Sequence, residues 1–565
     1  MAKDKLASDC IDRWKELDEQ FYYWKLKFRD IRDYVLPHRG KFLDEKDSFE
    51  GGENRHDKII DGEATQAIRL LSAGMHGGLT SPARPWFKTS PGNIGLLRSR
   101  AVKEWLEYVD RVLYGVLARS NFYSTIHAVY EEEAGFGTGA LNCEADFERI
   151  VRFNVMTAGE YRCATNSGGL VDTIYRLFGM TAKQMAERFG EDNLSDAVKR
   201  ELKNGRKYEW HKILHVVEPR KDRDVYKIDN KNMAFKEIYI DHDSEEVMQE
   251  SGYNEFPVAV ARWTTVGNEP YGISPGHHML GHVKQLQVET IDKLKALQKT
   301  VSPPMRVPTA YKDVLNTLPD GVNWVDSASN DAIAPLYQIN FNIQGVMEDI
   351  ARLKNEIRRG FYNDLFMMLV DNISLQPKTA TEIAALQEEK LIMLGPVIER
   401  QFHELLDPAL NRTFMEAFRR GIIPPPPREL QGQELKVEYI SMLAEAQKRI
   451  GVSSISNTVA FITQLGTILP AALDTINVDG AVDYYADLFG APVILLNDQK
   501  VRDQARAARA QAAQQAQQMQ QMEIMATGAK SVKELAKAPM DGNNALAAIS
   551  GAMGGQMSGG ANASA

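Results

Sequence analysis

Residues 276–300 read GHHMLGHVKQLQVETIDKLKALQKT, and the rest of the chain is organised around this stretch. Its apolar residues recur every three or four positions, at Met279, Leu280, Val283, Leu286, Leu294 and Leu297. Lysines and glutamines occupy the opposite face, so the pattern predicts an amphipathic helix with one buried side. Pro303 and Pro304 follow, and proline ends a helix because it lacks a backbone N–H and clashes with the preceding turn. We therefore predict a first core helix over residues 276–302.

Two further core helices are predicted downstream. The second covers residues 343–366, where apolar residues keep helical spacing at Val346, Ile350, Leu353, Ile357, Phe361 and Leu365. A short break over 367–378 separates it from a third helix within 379–430. Thr379 and Glu382 can begin that helix as a capping box, in which each side chain bonds the other residue's backbone N–H. Gly395-Pro396 predicts a kink in it.

The chain before this core is predicted to be helical and then mixed. Helical spacing covers residues 4–36, 64–72, 98–118 and 121–134, and a Gly/Pro turn over 73–87 is anchored in the core by Trp86 and Phe87. Alternating or β-branched residues then predict strands at 149–154, 160–165, 170–178, 208–217, 235–240 and 258–265, with short helices at 181–189 and 195–203. Residues 140–265 therefore form an α+β module inserted into a mainly helical protein.

The C-terminal part changes composition after the four prolines at 424–427, which predict a stiff linker. Residues 432–490 are predicted to be mostly helical. Residues 500–525 are rich in Ala, Gln and Arg, which favour helices, but they lack an apolar stripe. Such a segment either packs beside copies of itself in a ring or remains a solvated or disordered tail, and the sequence leaves both open. Residues 528–565 are predicted to be disordered.

Composition limits the classes of protein to consider. The 565 residues are 44% hydrophobic and 25% charged, as in soluble globular proteins, and no apolar run approaches the ~20 residues of a membrane helix. We expect no signal peptide and three free thiols in a reducing compartment. The net charge of −9 argues against tight sequence-specific DNA binding, which needs a basic surface.

The strongest enzymatic signal is Gly272-Ile-Ser-Pro-Gly276, a G-x-S-x-G match, with His76-Gly77-Gly78 as a conceivable oxyanion segment and His403 and Asp407 downstream. A nucleophile elbow uses the backbone N–H after the serine, and Pro275 has none. One such donor is worth about 3–4 kcal/mol of transition-state stabilisation. We therefore interpret Ser274 as the N-cap of the first core helix, where aspartate should replace it, and Pro275 as a first-turn residue. A serine hydrolase at Ser274 is the least favoured alternative.

Other polar clusters have simpler interpretations than catalysis or metal binding. His278 and His282, which follow His277, lie one turn apart, but without a nearby carboxylate a surface or ring-interface role is favoured. The acidic stretches 131–133 and 241–250 lack the spacing of a calcium loop and are predicted to be solvated. Gly528-Ala-Lys-Ser531 lacks the earlier glycine of a phosphate-binding loop. We expect no metal site, no cofactor and no enzymatic activity.

The order of these features resembles the portal proteins, the head-to-tail connectors of short-tailed podoviruses. The resemblance is carried by Tyr271-Gly-Ile-Ser-Pro-Gly276, Pro303-Pro304 and Lys378-Thr-Ala-Thr-Glu-Ile383, and by two earlier segments at 36–40 and 73–87. It covers roughly residues 10–500, and the order of the motifs is more specific than any one of them.

The resemblance implies a mainly α fold with α+β insertions, assembled as a cyclic ring. Its parts map onto this sequence as N-terminal helices and wing (1–275), first stem helix (276–302), clip (303–342), second stem helix (343–366), tunnel loop (367–378), long kinked wing helix (379–430), helical crown or barrel (431–527) and disordered tail (528–565). The implied site residues are Asp371, Asn372, Ser374, Gln376 and Lys378 in the DNA channel, Pro303, Pro304, Arg306 and Trp324 in the clip, and the helix caps Ser274, Thr379 and Glu382.

The resemblance also implies partners and a location. A dodecameric ring at one capsid vertex would nucleate head assembly, dock the large terminase subunit and later the tail adaptor or tube proteins, and pass double-stranded DNA without reading its sequence. Major capsid, scaffold and internal core proteins would be further partners, with no membrane. The ring would be assembled in the host cytoplasm and kept in the virion. The runner-up is another ring-forming structural protein, such as a tail hub or scaffold.

Overall fold

The computed structural model describes residues 2–44, 55, 57–224, 226–227, 229–306, 334–335, 342–370, 394–441 and 499–535. The chain divides into two compact units, Met1–Ile468 and Leu469–Ala565. Among the described residues, no helix is long and apolar enough to cross a membrane. The structure mixes helices and sheets, in agreement with the predicted mainly helical fold with α+β insertions.

Four helices open the chain: α1 (Ala2–Tyr34), α2 (Glu63–Leu79), α3 (Arg100–Arg119) and α4 (Phe122–Phe136). The first half of α1 packs on the larger sheet, and its second half enters the main core through Phe21 and Phe28. Helix α2 continues past residue 72, where the sequence predicted a turn. This extension packs closely against Phe366, since a Cβ at Gly74 would lie 2.2 Å from the ring. Glycine at this position lets the aromatic ring approach the helix.

The predicted α+β module contains two antiparallel sheets. The smaller has the order β3-β2-β9, from Ile150–Met156, Thr138–Asp146 and Val258–Arg262. The larger has the order β4-β5-β6-β7-β8, from Tyr161–Thr165, Val171–Thr181, Trp210–Pro219, Phe235–Asp241 and Glu246–Tyr253. The short helices α5 (Ala182–Phe189) and α6 (Asp196–Lys203) accompany it.

Two strands of this module were not predicted. Strand β2 is buried over most of its length, and so it lacks the polar alternation that marks a half-exposed strand. Strand β8 includes part of the acidic stretch 241–250, which was predicted to be solvated. That prediction is wrong for Asp241 and Met248, which are 1% and 3% exposed. The Asp241 carboxylate accepts a hydrogen bond from Ser195 Oγ at 2.7 Å.

The first core helix, α7 (Pro275–Val301), agrees with the predicted 276–302. The second prediction is only partly right, because residues 343–366 form α8 (Ile343–Gly360) and the start of α9 (Asn363–Val370). Tyr362 separates them with φ of 56°, a left-handed conformation that ends a helix. Between α7 and α8, the two-residue strands β10 (Met305–Arg306) and β11 (Ala334–Pro335) pair antiparallel. This pairing lies within the predicted clip, 303–342.

The predicted long kinked helix departs from regular α geometry later than expected. Residues 394–400 are helical, including Gly395-Pro396, and the irregularity is a π-helical segment, Gln401–Leu406. Helix α10 (Asp407–Arg419) follows with Pro408 in its first turn. Because proline has no N–H to donate to the preceding turn, it favours a local change of hydrogen-bond register. The helix ends at Arg419, short of the predicted 430.

The chain then pairs with the main body inside the first residues of the predicted crown, 431–527. Strand β12 (Leu435–Tyr439) pairs antiparallel with β1 (Phe87–Pro91), although residues 432–490 were predicted to be mostly helical. Trp86 and Phe87, predicted as core anchors, are each 1% exposed. The Tyr114 hydroxyl accepts hydrogen bonds from both of their backbone N–H groups at 2.8 Å. The predicted boundary at residue 431 therefore falls before a strand of the first unit.

The second unit is described by helix α11 (Gln499–Leu535). The predicted helical character of residues 500–525 is confirmed, and the side chains of 501–526 are exposed apart from one intermediate position, Arg502. The predicted disordered tail was placed to begin at 528, which is wrong for residues 528–535. This last stretch contains Lys, Glu and Leu, which favour helices, and it extends α11.

Candidate functional site where two glycine segments cross

The Gly272-Ile-Ser-Pro-Gly276 motif crosses Gly135-Phe-Gly-Thr-Gly139 backbone against backbone. A Cβ at Gly276 would lie 2.4 Å from the Gly135 carbonyl oxygen, and one at Gly272 would lie 2.2 Å from that of Gly137. Gly137 ends α4 in the left-handed conformation, with φ of 81°. Neither segment can accept a side chain at these positions without moving the other. Packing therefore accounts for the glycines of the G-x-S-x-G match.

Ser274 is the N-cap residue of α7 and is fully buried. Its Oγ donates to the Gly135 carbonyl at 2.6 Å and accepts from the His277 backbone N–H at 3.3 Å. The Ser274 backbone N–H donates to His277 Nδ1 at 3.3 Å, which completes a capping box with Pro275 in the first turn. One hydroxyl thus fixes the start of the core helix and ties it to the end of α4.

Ser274 Oγ also lies 2.9 Å from His277 Nδ1, but this histidine is not suited to act as a general base. Burial lowers the pKa of His277 to about 3, far from that of a base working near neutral pH. The partners considered from sequence are occupied elsewhere, because His403 Nδ1 lies 3.1 Å from an Asp407 oxygen and Tyr439 donates to the other Asp407 oxygen at 2.5 Å. The arrangement supports the capping role of Ser274. It also changes one expectation, since aspartate could cap α7 but could not donate to the Gly135 carbonyl.

Helices α7 and α8 pack together and are docked on the segment that begins α2. Gln287 of α7 accepts from the backbone N–H groups of Ile60 and Asp61 at 2.7 and 2.8 Å. Arg358 of α8 donates to Glu63 at 2.6 Å. The pair leaves apolar side chains exposed at Val288, Leu294, Val301 and Met347. Leu294 and Val301, seven positions apart, lie on one face of α7 and are available to contact a second protein surface.

The histidines at the start of α7 have a carboxylate neighbour that the sequence did not indicate. His282 Nε2 lies 3.4 Å from a Glu356 oxygen of α8, so a carboxylate does face this histidine from the neighbouring helix. Within the part of the chain that the structure describes, no group of three or more His, Cys, Asp or Glu side chains is placed to hold a metal ion.

Several predicted site residues lie outside the described residues. These are the channel residues Asp371, Asn372, Ser374, Gln376 and Lys378, the caps Thr379 and Glu382, and Trp324 of the clip. Pro303 and Pro304 follow α7, as the sequence requires, and the backbone of Arg306 pairs with Ala334 in the β10–β11 ladder. The described residues bring the clip prolines to the base of that ladder, and the channel predictions remain predictions.

A buried ion pair that sequence reasoning missed joins the α+β module to the π-helical segment. Arg262 of β9 is 3% exposed, and its Nη2 lies 2.7 Å from Glu404 Oε1. The same guanidinium donates to the carbonyls of Gly169 and Glu269 at 2.8 and 3.2 Å. Because Arg262 and Glu404 are 142 positions apart, no local pattern could have revealed the pair.

The acidic stretch 131–133 was predicted to be solvated, and this is wrong for two of its residues. Glu132 and Glu133 are fully buried, because they point from α4 toward the wing and the π-helical segment. Glu132 accepts from Thr157 Oγ1 at 2.6 Å and from the Ala158 backbone N–H at 3.0 Å. Burial raises the pKa of Glu132 to about 7 and that of Glu133 to about 8.

Residues 7–496 match the model of a family described as bacteriophage head to tail connecting protein. The chain belongs to this family. Two relatives agree with the assignment. The connector is 39% identical over 494 residues to a probable portal protein of Bordetella phage BPP-1, covering 87% of this chain and 88% of that one. It is 38% identical over 479 residues to the portal protein of Salmonella phage epsilon15, covering 84% and 86%.

The resemblance to portal proteins drawn from the sequence is therefore confirmed. A solved structure titled as the virion of a native gene transfer agent particle aligns with 76% of the connector and 90% of the other chain, at 11% identity and a TM-score of 0.34. A score this low does not establish a shared fold. The assignment rests on the family match and on the two portal relatives.

Proposed function

We propose that this connector is a portal subunit, twelve copies of which close into a ring at one capsid vertex. The observation that carries the proposal is the family match over residues 7–496, together with two relatives named as portal proteins that align with more than four fifths of the chain. In this role the ring nucleates head assembly, admits double-stranded DNA and later releases it to the tail. It is assembled in the host cytoplasm and retained in the virion.

The chain has properties that suit such a ring. Copies joined head to tail around an axis use two different surfaces, and a closing rotation makes a ring. The exposed apolar side chains of α7 and α8, Val288 and Met347 among them, give one such surface something to bury. The net charge of −9 disfavours adhesion to DNA and so suits a channel through which DNA must move.

Each proposed partner is assigned to a part of the chain. The clip (303–342), with Pro303, Pro304, Arg306 and Trp324, contacts the large terminase subunit during packaging and the tail adaptor or tube proteins afterwards. The tunnel loop (367–378) approaches DNA most closely. Internal core proteins meet the crown, and major capsid and scaffold proteins meet the outer surface of the ring. These assignments follow from the family resemblance, and the fold supplies the paired strands β10 and β11 at the base of the clip.

Electron microscopy of the purified full-length chain in moderate salt tests the ring. We expect closed particles with a central hole, and native mass measurement should give one high multiple of the 63.4 kDa subunit. The mass counts subunits independently of image symmetry, and salt screens the repulsion between acidic copies over ~10 Å at 0.1 M. Monomers or twofold dimers at every salt concentration would contradict the proposal.

A further inference from the structure

A buried side-chain pair joins the end of α4 to the π-helical segment. Glu133 and Gln401 are both fully buried, and Gln401 Nε2 donates to Glu133 Oε1. Among the described residues, the other oxygen of each group, Glu133 Oε2 and Gln401 Oε1, is buried without a hydrogen-bond partner. A buried acceptor without a hydrogen bond is destabilising, and this pair contains two. Both belong to one contact, so one cause should explain both.

A single proton satisfies both atoms. An ionised carboxylate only accepts hydrogen bonds, so it can do nothing for the Gln401 amide oxygen. A protonated Glu133 has an O–H on Oε2 that can donate to Gln401 Oε1, while Gln401 Nε2 donates to Glu133 Oε1. A carboxylic acid and a primary amide match each other in this way through two parallel hydrogen bonds. We infer that Glu133 is held as a neutral carboxylic acid at neutral pH, and that with Gln401 it forms a latch between α4 and the π-helical segment.

The charges around Glu133 agree with this state. Glu404, on the same π-helical segment, repels a negative charge on Glu133 and is itself bound by Arg262 at 2.7 Å and Arg400 at 3.2 Å. Arg400 favours the ionised form, but within the described residues Glu133 makes no ion pair with it. Burial dominates and raises the pKa of Glu133 to about 8.

The remaining neighbours on α4 supply no compensating cation. Tyr130 is fully buried and neutral, because burial holds its pKa well above the ordinary value. Glu132 is occupied with Thr157 and Ala158, and Glu131 accepts from Arg39 at 2.7 and 2.9 Å. Arg39, from the segment after α1, lies 2.7 Å from Glu131 and 3.9 Å from Glu132, and leaves Glu133 to the amide.

The latch holds an irregular part of the molecule. The π-helical segment has a non-standard hydrogen-bond register, and two buried polar pairs tie it to β9 and α4, Glu404 to Arg262 and Gln401 to Glu133. Loss of the proton places a carboxylate against the Gln401 amide oxygen and near Glu404, which loosens one of the two ties. If the loosened contact regulates the predicted helix that follows the tunnel loop, that role rests on the proposed function. The protonation itself does not depend on ring formation.

Infrared spectroscopy of the full-length chain tests the protonation directly. A neutral carboxylic acid has a C=O stretching band distinct from those of carboxylates and amides. The difference between wild type and Glu133→Gln should contain one such band at pH 7, and the band should disappear as the pH rises through about 8. Signal from Glu132 is present in both proteins and cancels. The substitution nearly preserves shape and can still make two hydrogen bonds to Gln401, so the variant should fold. Absence of the band at pH 7 would overturn the inference.

Unfolding as a function of pH provides a second readout. The pKa of Glu133 in the folded state, about 8, lies above its ordinary value of 4.5, so the folded state binds the extra proton between these values. The stability from this group is complete below pH 4.5 and is lost as the pH rises toward 8. The ratio of unfolding constants, wild type over Glu133→Gln, should therefore rise about tenfold per pH unit in that window and level off above it.

The matched control is Glu131→Gln, which changes the same chemical group two positions away. This variant should keep the wild-type acid band and the wild-type dependence of unfolding on pH in the window assigned to Glu133. A buried water could instead donate to both oxygens while Glu133 stays ionised. In that case the ratio would be flat and the band absent, and the inference would be wrong. Neither measurement uses rings or DNA, so its failure is distinguishable from failure of the proposed function.

Discussion

At the scale of single residues, two glycines of α7 predict opposite results for the same substitution. Gly276→Ala places a Cβ 2.4 Å from the Gly135 carbonyl oxygen, so a backbone must move. Overpacking of this kind costs about 1–3 kcal/mol. Gly281→Ala meets nothing within 4 Å and lies inside the helix, where alanine is favoured by about 1 kcal/mol. Chemical denaturation of both variants should therefore give lower stability for Gly276→Ala and higher stability for Gly281→Ala.

The two variants control for each other, because both add one methyl group to the same helix. Equal stability of Gly276→Ala and wild type would mean that the two glycine segments do not cross as closely as described. Such a result would also reopen the question of why Gly272-Ile-Ser-Pro-Gly276 carries its glycines. Destabilisation by Gly281→Ala would show instead that this face of α7 is covered in solution.

The same scale shows which site residues the sequence could predict. The role of Ser274 could be predicted, because a serine followed by proline before an apolar periodic stretch indicates a helix start without further information. The role of Glu133 could not be predicted, since its partner Gln401 lies 268 positions away and a run of three glutamates ordinarily indicates solvent exposure. The ion pair of Arg262 and Glu404 could not be predicted for the same reason, because its two residues are 142 positions apart. Local signals predict caps, and buried polar pairs depend on contacts that only the fold creates.

At the scale of elements, the predicted bounds of a helix or strand agree with the structure when both of its ends carry a local sequence signal. Helix α7 has Ser274 and Pro275 at its start and Pro303 just beyond its end, and its predicted bounds agree with Pro275–Val301. At the break between α8 and α9 the local signal is a single glycine, Gly360, and the positive φ falls on Tyr362, a residue type that rarely adopts it. Strands β1 and β12 pair although they are far apart in the sequence. The residues of such a strand give little indication of a distant partner.

The paired strands β10 and β11 allow the part of the clip between them to be deleted without breaking the pairing. Arg306 and Ala334 lie directly opposite each other in the β10–β11 ladder. Replacing residues 307–333 by Asn-Gly, a favoured two-residue hairpin turn, should therefore leave α7 and α8 folded. We expect the wild-type thermal midpoint and helix content, with terminase and tail attachment lost in binding assays.

The control for this deletion is a chain in which only Trp324 is replaced by alanine, which keeps the length of the clip. If Trp324 contacts the partners, attachment should weaken while the fold is unchanged. Aggregation of the deleted chain would contradict the boundary. It would show that residues 307–333 contribute to the core and are not an independent tip.

At the scale of the whole molecule, the proposed ring brings one segment of every subunit to the channel. Within the predicted tunnel loop, residues 367–378, Lys378 is the only positively charged residue and Asp371 the only negatively charged one. Repeated around an axis, Lys378 would form a positive collar in a ring whose subunits each carry a net charge of −9. Duplex DNA has one charge per ~1.7 Å of its axis, so a collar faces phosphates in every register. The contact would be weak, dependent on salt and independent of sequence, as a sliding channel requires.

Lys378→Glu should therefore assemble into normal rings but shorten the packaged genome or allow packaged DNA to leak. The matched control is Lys207→Glu, which changes the net charge of the subunit by the same amount at an exposed position of the wing module. Packaged genome length and its retention, measured in particles built with each variant, separate the two sites because only one of them would face DNA. Wild-type filling and retention by Lys378→Glu would mean that no collar exists and that the loop contacts protein. Equal defects in both variants would assign the effect to subunit charge, since added negative charge on any surface raises the repulsion between copies.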